Sequence, residues 1–365
     1  MKVLIILDKD PYLYLNPFVY TLIDGIKSQF NDFEWKWGLD IFWTDECLKY
    51  DIIHIQWPNL FEMTFKKNKF ALCDFENRLF YIKSNGIKIV STCHNLTSHY
   101  ENDNIGNELY TLTYLHSDCI IHLGEYSFNL FKQLYPKAKN VLIPHHVYDT
   151  IYTSIKNREE SLVKLKLSRN KKYILCFGAF RNKEERDLVI NLYNKIKGEN
   201  VMIIAPSFYI VSFNMNSWKR FHFKYLLVYI YQQLKFLYYK SKYRSIYFER
   251  NEIDDSRLPY FYGVADIVLI HRIHILNSGN VPLALLMKKV VVGPNTGNVG
   301  ALLNKINNPT FNSQNMDSLY LAIKNALILS QDCDIKLNNY NYAMKEFNTK
   351  KISRELYNLY KELLG

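Results

Sequence analysis

The residues best suited to chemistry cluster in short loops. Phe177-Gly178-Ala179-Phe180-Arg181-Asn182-Lys183-Glu184 follows an apolar run. A glycine there lets the main chain approach a ligand closely, and Arg181 and Lys183 could reach a diphosphate. An ordinary turn with solvated cations fits the same residues. Further on, His271-Arg272-Ile273-His274-Ile275-Leu276-Asn277-Ser278-Gly279-Asn280 precedes the apolar stretch Val281–Met287. Asn277 or Ser278 would cap a helix there, so that the free N–H groups of its first turn face an anion. Gly293-Pro294-Asn295-Thr296-Gly297-Asn298 makes a third turn on the same expected sheet edge.

The first half has its own polar loops. Cys93-His94-Asn95-Leu96-Thr97-Ser98-His99-Tyr100-Glu101 follows another apolar run. Its histidines, Asn95 and Glu101 suit a polar site, although a histidine after a buried strand also serves structure alone. His145 and His146 form a second cluster after Ile143-Pro144. Asp8, Asp10, Asn16 and Pro17, with Gln56-Trp57-Pro58-Asn59, could shape a sugar platform on which Trp57 stacks. An aromatic side chain at a strand end equally suits the core. Histidine and carboxylate spacings match no metal site, and none is expected. Dinucleotide, P-loop, nucleophile-elbow and kinase signatures are absent from the sequence.

These loops need a scaffold. The runs Lys2–Leu7, Ile52–Gln56, Ile87–Thr92, Cys119–His122 and Val141–Ile143 read as strands, separated by helical stretches such as Phe18–Phe30 and Phe70–Ser84. The continuous Ile/Val/Leu runs suit parallel strands buried on both faces. Charged residues from Lys156 to Lys172 read as a linker with a surface helix. The pattern then restarts with Tyr173–Phe177, Val201–Ala205, Ser245–Phe248, Ile267–Ile270 and Val290–Val292. Lys350–Leu363 forms an amphipathic helix, with Ile352, Leu356, Leu359, Tyr360 and Leu363 on one face. The expectation is an α/β chain of two doubly wound, Rossmann-like domains facing across a cleft, with ligands beyond the C-terminal ends of the strands.

Composition agrees with that scaffold. With 365 residues and 48% hydrophobic content, the chain can build a core in each half, and intrinsic disorder is excluded. The cysteines Cys47, Cys73, Cys93, Cys119, Cys176 and Cys333 are scattered singly and read as small buried hydrophobes in a reducing compartment. The apolar run after Met1 is too short for a signal peptide, so the expected location is cytoplasmic. A net charge of +11 favours anionic partners. Seven basic residues and no acidic one lie between Ser207 and Phe248.

Taken in order, the motifs resemble GT-B fold glycosyltransferases, especially the retaining glycosyltransferase family 4 and its bacterial polysaccharide-biosynthesis branch. "DIIHIQWPNLF", "IVSTCHNLTSHYE" and "VLIPHHVYDTIY" are similar to the acceptor-side segments of that family. "ILCFGAFRNKEE", "LPYFYGVADIVLI" and "NSGNVPLALLMKKVVVGPNTGNVGALL" resemble its donor-binding half. The resemblance implies an acceptor domain over 1–155, a nucleotide-sugar domain over 156–345, and a terminal helix, 346–365, that crosses back to the first domain. It implies that Gly178, Arg181, Lys183, Ser278, Gly279 and Asn280 hold the donor phosphates and that His94 is catalytic. Asn16, Trp57, Asn95, His99 and Glu101 would meet the acceptor.

Two departures stand out. Where many relatives carry a Glu-x7-Glu pair, this chain has Ile275 and Leu283, and Lys288 stands where glycine is usual. The basic aromatic segment, about 209–243, is also longer than its counterpart. Trp218, Lys219, Arg220, Phe221 and Lys224 would rest on an anionic membrane, with a solvated helix packed on the domain as the competing reading. The implied activity is metal-independent, cofactor-free hexosyl transfer from a UDP- or GDP-sugar to a surface-polysaccharide or lipid-diphosphate-linked glycan acceptor, probed against a non-catalytic binding partner and a nucleotide-sugar epimerase. Nucleic acid is not an expected partner.

Overall fold

The computed structural model describes residues 1–14, 16–68, 70–98, 104–210, 222–250 and 253–365, without the side chains of 66–68, 222–225 and 255. Among the described residues twelve strands form two sheets of six, every pairing parallel. The first sheet contains β1 (Lys2–Ile6), β2 (Glu34–Trp37), β3 (Ile52–Ile55), β4 (Lys88–Cys93), β5 (Cys119–His122) and β6 (Lys139–Leu142), in the order β2-β1-β3-β4-β5-β6. The second contains β7 (Lys172–Leu175), β8 (Val201–Ile204), β9 (Ile246–Tyr247), β10 (Ile267–Leu269), β11 (Val290–Pro294) and β12 (Thr310–Phe311), in the order β12-β11-β10-β7-β8-β9.

The central strands are the Ile/Val/Leu runs of the sequence, and β3 and β5 are buried at every position. Both faces of each sheet are covered by helices, as the absence of alternation requires. The edge strands β2 and β12 were not among the expected ones. Glu34-Trp35-Lys36-Trp37 alternates exposed and half-buried positions and pairs only with β1, so it has no continuous apolar run to mark it.

The chain between the sheets differs from the expected linker. Its helix Arg158–Leu165 buries Ser161, Leu162 and Leu165, and it packs on the helix Leu258–Val264. The side chain of Arg158 donates to Val264 O at 2.7 Å and to Lys171 O at 2.9 Å. It is therefore a fixed part of the second half. The cysteine expectation also needs correction: Cys47, Cys93, Cys119 and Cys176 are buried, but Cys73 and Cys333 are exposed.

At the far end, the helix Cys333–Phe347 lies on the second half, and the chain turns at Asn348 into the helix Thr349–Leu364, which packs on the helix Phe18–Lys27. Tyr357 stacks on Phe30 with ring centroids 3.7 Å apart. Two chain segments thus run side by side where the halves join. Val147 N–H donates to Phe347 O at 2.8 Å, and Thr349 N–H donates to Asp149 Oδ1 at 3.0 Å.

Lys288 takes the left-handed conformation, φ 54°, just past the helix Asn280–Leu286. The backbone therefore keeps a shape that glycine adopts freely while the side chain is lysine, whose Nζ lies 5.0 Å from the Tyr340 ring centroid. A non-glycine residue there costs about 1–2 kcal/mol, partly offset by the greater unfolded-state freedom of glycine. Lys288→Gly is expected to stabilise the fold by roughly 0.5–1 kcal/mol, read as a higher urea midpoint. A lower midpoint would mean that the Tyr340 contact outweighs the strain.

Candidate active site

In the second sheet, β7 and β10 are neighbours, but the chain leaves them in opposite directions, to β8–β9 and to β11–β12. Such a switch point opens a crevice at the strands' C-terminal ends. The glycine loop follows β7, and the segment 271–280 follows β10. Gly178 has φ 103°, and a Cβ built on it would lie 3.1 Å from Asn280 Nδ2. Both facts favour glycine. The loops are stitched together: Asn280 Nδ2 donates to Phe177 O at 2.7 Å, and Arg272 Nη2 donates to Ala179 O at 3.2 Å. The main-chain N–H groups of Gly178, Ala179, Ser278, Gly279 and Asn280 meet no acceptor among the described residues.

The charge in this crevice is positive. Burial, then the nearby Arg181 guanidinium, pulls the Arg272 pKa down to about 10, against the opposing influence of Glu185. No carboxylate among the described residues forms an ion pair with Arg272. Arg181 is exposed, and its main-chain N–H donates to the buried Glu185 Oε2 at 2.7 Å. Asn182 caps the helix Lys183–Ile196 by accepting from Glu185 N–H, which leaves Lys183 exposed at the first helical position. His271 is buried against Phe180, with ring centroids 4.0 Å apart. Burial, then the charge of Arg272, lowers its pKa to about 3, so it adds no charge at neutral pH.

The facing wall comes from the first sheet. His94 follows β4, stacks on Trp57 at 4.9 Å and meets the edge of Phe18 at 5.0 Å. Its Nε2–H donates to Gln56 Oε1 at 2.9 Å. Gln56 Nε2 in turn donates to His54 Nε2 at 3.2 Å, and His54 Nδ1 shares a 2.5 Å hydrogen bond with Tyr360 on the terminal helix. Burial holds the His54 pKa at about 3. A buried polar chain thus runs from the last helix to His94 and fixes its ring.

Contacts between the halves place these walls together. Asn277 Nδ2 donates to Cys93 O at 3.0 Å and to His94 O at 2.9 Å. Asn298 Nδ2 donates to Asn277 Oδ1 at 2.8 Å, and Asn298 Oδ1 accepts from Ser127 N–H at 3.0 Å. A Cβ on Gly279 would lie 3.0 Å from the Tyr148 hydroxyl, which donates to Asn16 Oδ1 at 3.1 Å. Burial pushes the Tyr110 hydroxyl up to about 12, while its Asn95 hydrogen bond and the charge of Arg181 act in the opposite direction. Arg181 therefore acts on a first-half residue.

The structure brings His94, Asn16, Gly178, Arg181, Ser278, Gly279 and Asn280 to this region. Trp57 is half-buried between Tyr14 and His94, serving the core and one wall together. Asn95 turns its amide to the Tyr110 hydroxyl, 3.2 Å away. His99 and Glu101 lie outside the described residues, as do Trp218, Lys219, Arg220, Phe221 and the side chain of Lys224. The helix cap differs from expectation. Gly279 occupies the N-cap without a side-chain bond, because Asn277 is committed to the other half of the molecule. Ile275 and Leu283 pack in and against the core, so no carboxylate stands at those positions.

No family model matches the sequence, and no curated protein matches it. Solved structures do. Sucrose-phosphate synthase from Thermosynechococcus elongatus superposes with TM-score 0.71 at 13% identity, over 99% of this chain and 98% of that one. HepE from Anabaena, solved in complex with UDP-glucose, superposes with TM-score 0.69 at 13% identity, over 99% and 100%. The fold is GT-B. A glycosyltransferase from Rickettsia africae matches with TM-score 0.63 at 12% identity, over 100% and 98%. Identities this low carry the architecture, two Rossmann-like domains across a cleft, and leave the chemistry to the residues.

Sequence reasoning missed Arg272 and Gln56 as site residues. Arg272 is a lone cation after a strand, and only the adjacency of β7 and β10 reveals its setting. Gln56 reads from sequence only as part of a sugar platform, and the structure adds that it orients His94. A cavity of about 320 Å³ between the halves shares Asn277 and Ser278 with the site and contains neither arginine nor His94. It is lined mainly by apolar side chains such as Leu142, Val281, Leu302 and Phe347.

Proposed function

We propose that the protein is a glycosyltransferase that moves a hexose from a UDP- or GDP-sugar to a surface-polysaccharide or lipid-diphosphate-linked glycan. The observation that supports this most is the pair Arg181 and Arg272 beside five main-chain N–H groups that meet no acceptor among the described residues. When the sugar–phosphate bond breaks, negative charge grows on the leaving diphosphate. Donors already held in place stabilise that charge without reorganisation. In this reading Arg181, Arg272 and Lys183 are the cations, Gly178, Ser278, Gly279 and Asn280 are the main-chain donors, and no metal is required.

His94, held by Gln56 and by the Asn277 contact to its carbonyl, would stand against the donor sugar. The acceptor would enter beside Asn16, Trp57 and Asn95, and the proposal extends to His99 and Glu101, which lie outside the described residues. Retention at the anomeric carbon belongs to the proposal, and NMR of the product tests it. The protein would work in the cytoplasm, at the inner face of the plasma membrane where a lipid-linked acceptor lies.

Calorimetry and thermal shift against UDP, GDP, CDP and their common sugars test the donor site. One nucleotide is expected to bind, and at 100 times its Kd it stabilises the folded chain by about 2.7 kcal/mol. Release of that nucleotide only in the presence of a glycan acceptor supports transfer. Release without acceptor points to an epimerase or a hydrolase, binding without turnover to a non-catalytic partner, and silence throughout overturns the donor site.

A further inference from the structure

We propose that the helix His222–Lys242 lays its outward face on an anionic bilayer. This helix spans 21 residues, about 31 Å, and it is apolar on two opposite sides. One side packs inward. Phe236 is buried with Ile203, Phe208, Ile246 and Phe248, and Tyr239 packs against the same cluster. The other side has nothing on it among the described residues: Leu226, Leu227, Ile230, Leu234, Leu237 and Tyr238 are 44–62% exposed. At 100° per residue these six fall within an arc of about 120°, opposite the arc that holds Phe236 and Tyr239.

A solvated helix needs no such face, and soluble proteins seldom leave one this continuous uncovered. Charge identifies what covers it. The lysines flank the apolar arc, with Lys240 on one border and Lys235 and Lys242 on the other. Their stems run along aromatic rings. Lys242 Nζ lies 5.3 Å from the Tyr238 centroid, Lys240 Nζ lies 5.6 Å from that of Phe236, and Lys235 Nζ lies 5.6 Å from that of Tyr209. Phe236 and Tyr209 belong to the inward side, so these contacts hold the ammonium groups at the borders of the outer face, where they would meet lipid phosphates while the leucines, Ile230 and Tyr238 enter the headgroup boundary. Between Ser207 and Phe248 there is no carboxylate to repel those phosphates. No helix among the described residues is long and apolar enough to cross a membrane, so the contact is a surface one.

The face belongs to helical residues C-terminal to the expected Trp218–Lys224 set. Its position also bears on the reaction. Lys235 and Tyr239 line one cleft of about 280 Å³ with Ala179 and Phe180, next to the loop that carries Arg181. Docking would therefore bring the diphosphate crevice close to the lipid surface. Only this link to a lipid-borne acceptor rests on the transferase reading, because the docking itself needs no substrate.

The test is flotation of the full chain with phosphatidylglycerol-containing vesicles and with pure phosphatidylcholine vesicles. The chain is expected to float with the anionic vesicles at least about 10-fold more, and salt is expected to weaken the effect. Leu227→Glu with Leu234→Glu should abolish flotation, and Lys240→Glu with Lys242→Glu should remove its preference for anionic lipid. All four positions are exposed or on the outer helix borders, so melting temperature and nucleotide affinity should stay unchanged. Indifference of the parent chain to anionic vesicles overturns the proposal. So does flotation that survives the double leucine variant, or a solution dimer that this variant dissociates in a chain that ignores lipid. Lost nucleotide binding with flotation intact counts against the transferase reading alone.

Discussion

Arg272→Ala is expected to lower turnover of the nucleotide sugar by about 10²–10³-fold, the loss that follows removal of one preorganised donor from a developing anion. The guanidinium is half-buried between the glycine loop and the β10 loop, with its pKa already pulled down by burial and by Arg181. A bound diphosphate would reverse that repulsion, so affinity for the free nucleotide should fall as well. The hydrogen bond from Arg272 to Ala179 O is also lost, at a cost of about 1 kcal/mol to the fold, which a melting curve separates from the kinetic effect. Arg272→Lys keeps a charge but not the planar fork, and it should recover only part of the rate. Arg181→Ala, at an exposed position, should act in the same direction. Unchanged nucleotide affinity in both alanine variants would remove the crevice from consideration as the donor site.

The second large effect is acid lability. His54, His122, His146 and His271 are each at most 2% exposed. Burial, first among the causes in every case, lowers their pKa values to about 3 for His54 and His271 and about 4 for His122, and well below the ordinary value for His146. Well above pH 6.5 both folded and unfolded chains leave these rings neutral, and stability does not depend on them. As the pH falls from 6.5 toward 4, the unfolded chain takes up protons that the folded chain refuses, so stability is lost through that window. Each histidine costs about 1.4 kcal/mol between pH 7.5 and 5.5, and with His145, whose pKa burial likewise lowers to about 4, five together cost roughly 7 kcal/mol. That is comparable to the whole stability of many proteins, about 5–15 kcal/mol. Urea midpoints at pH 7.5, 6.5 and 5.5 should therefore drop steeply, and His122→Asn should flatten the drop by about a fifth. A flat profile would mean that these rings protonate in the folded protein.

Much of the scaffold was legible because parallel strands buried on both faces must be continuously apolar. Ile52–Ile55, Cys119–His122 and Val290–Val292 announce themselves in that way. Glu34–Trp37 and Thr310–Phe311 do not: the first alternates exposed and half-buried positions, and the second is only two residues long, a half-buried Thr310 and a buried Phe311. The exposed helix face was half legible. The sequence shows basic and aromatic residues without acid, but which of them point outward depends on where Phe236 anchors the helix.

For the site, local sequence determined the loops: a glycine after β7, polar residues after β4 and β10, and a cationic surplus. Each follows from short-range rules, since a strand must end in a turn and a turn that approaches a ligand favours glycine. Tertiary structure alone decided the partnerships. Asn277 reads as a helix cap, yet it donates to Cys93 and His94 in the other domain, and Tyr360, near the end of the chain, fixes His54 and through Gln56 the ring of His94. Arg272 reads as one more surface cation until β10 settles beside β7 and sets it near Arg181. Hydrogen bonds and charges act over a few ångströms of space, and between residues far apart in sequence only the folded chain sets those distances.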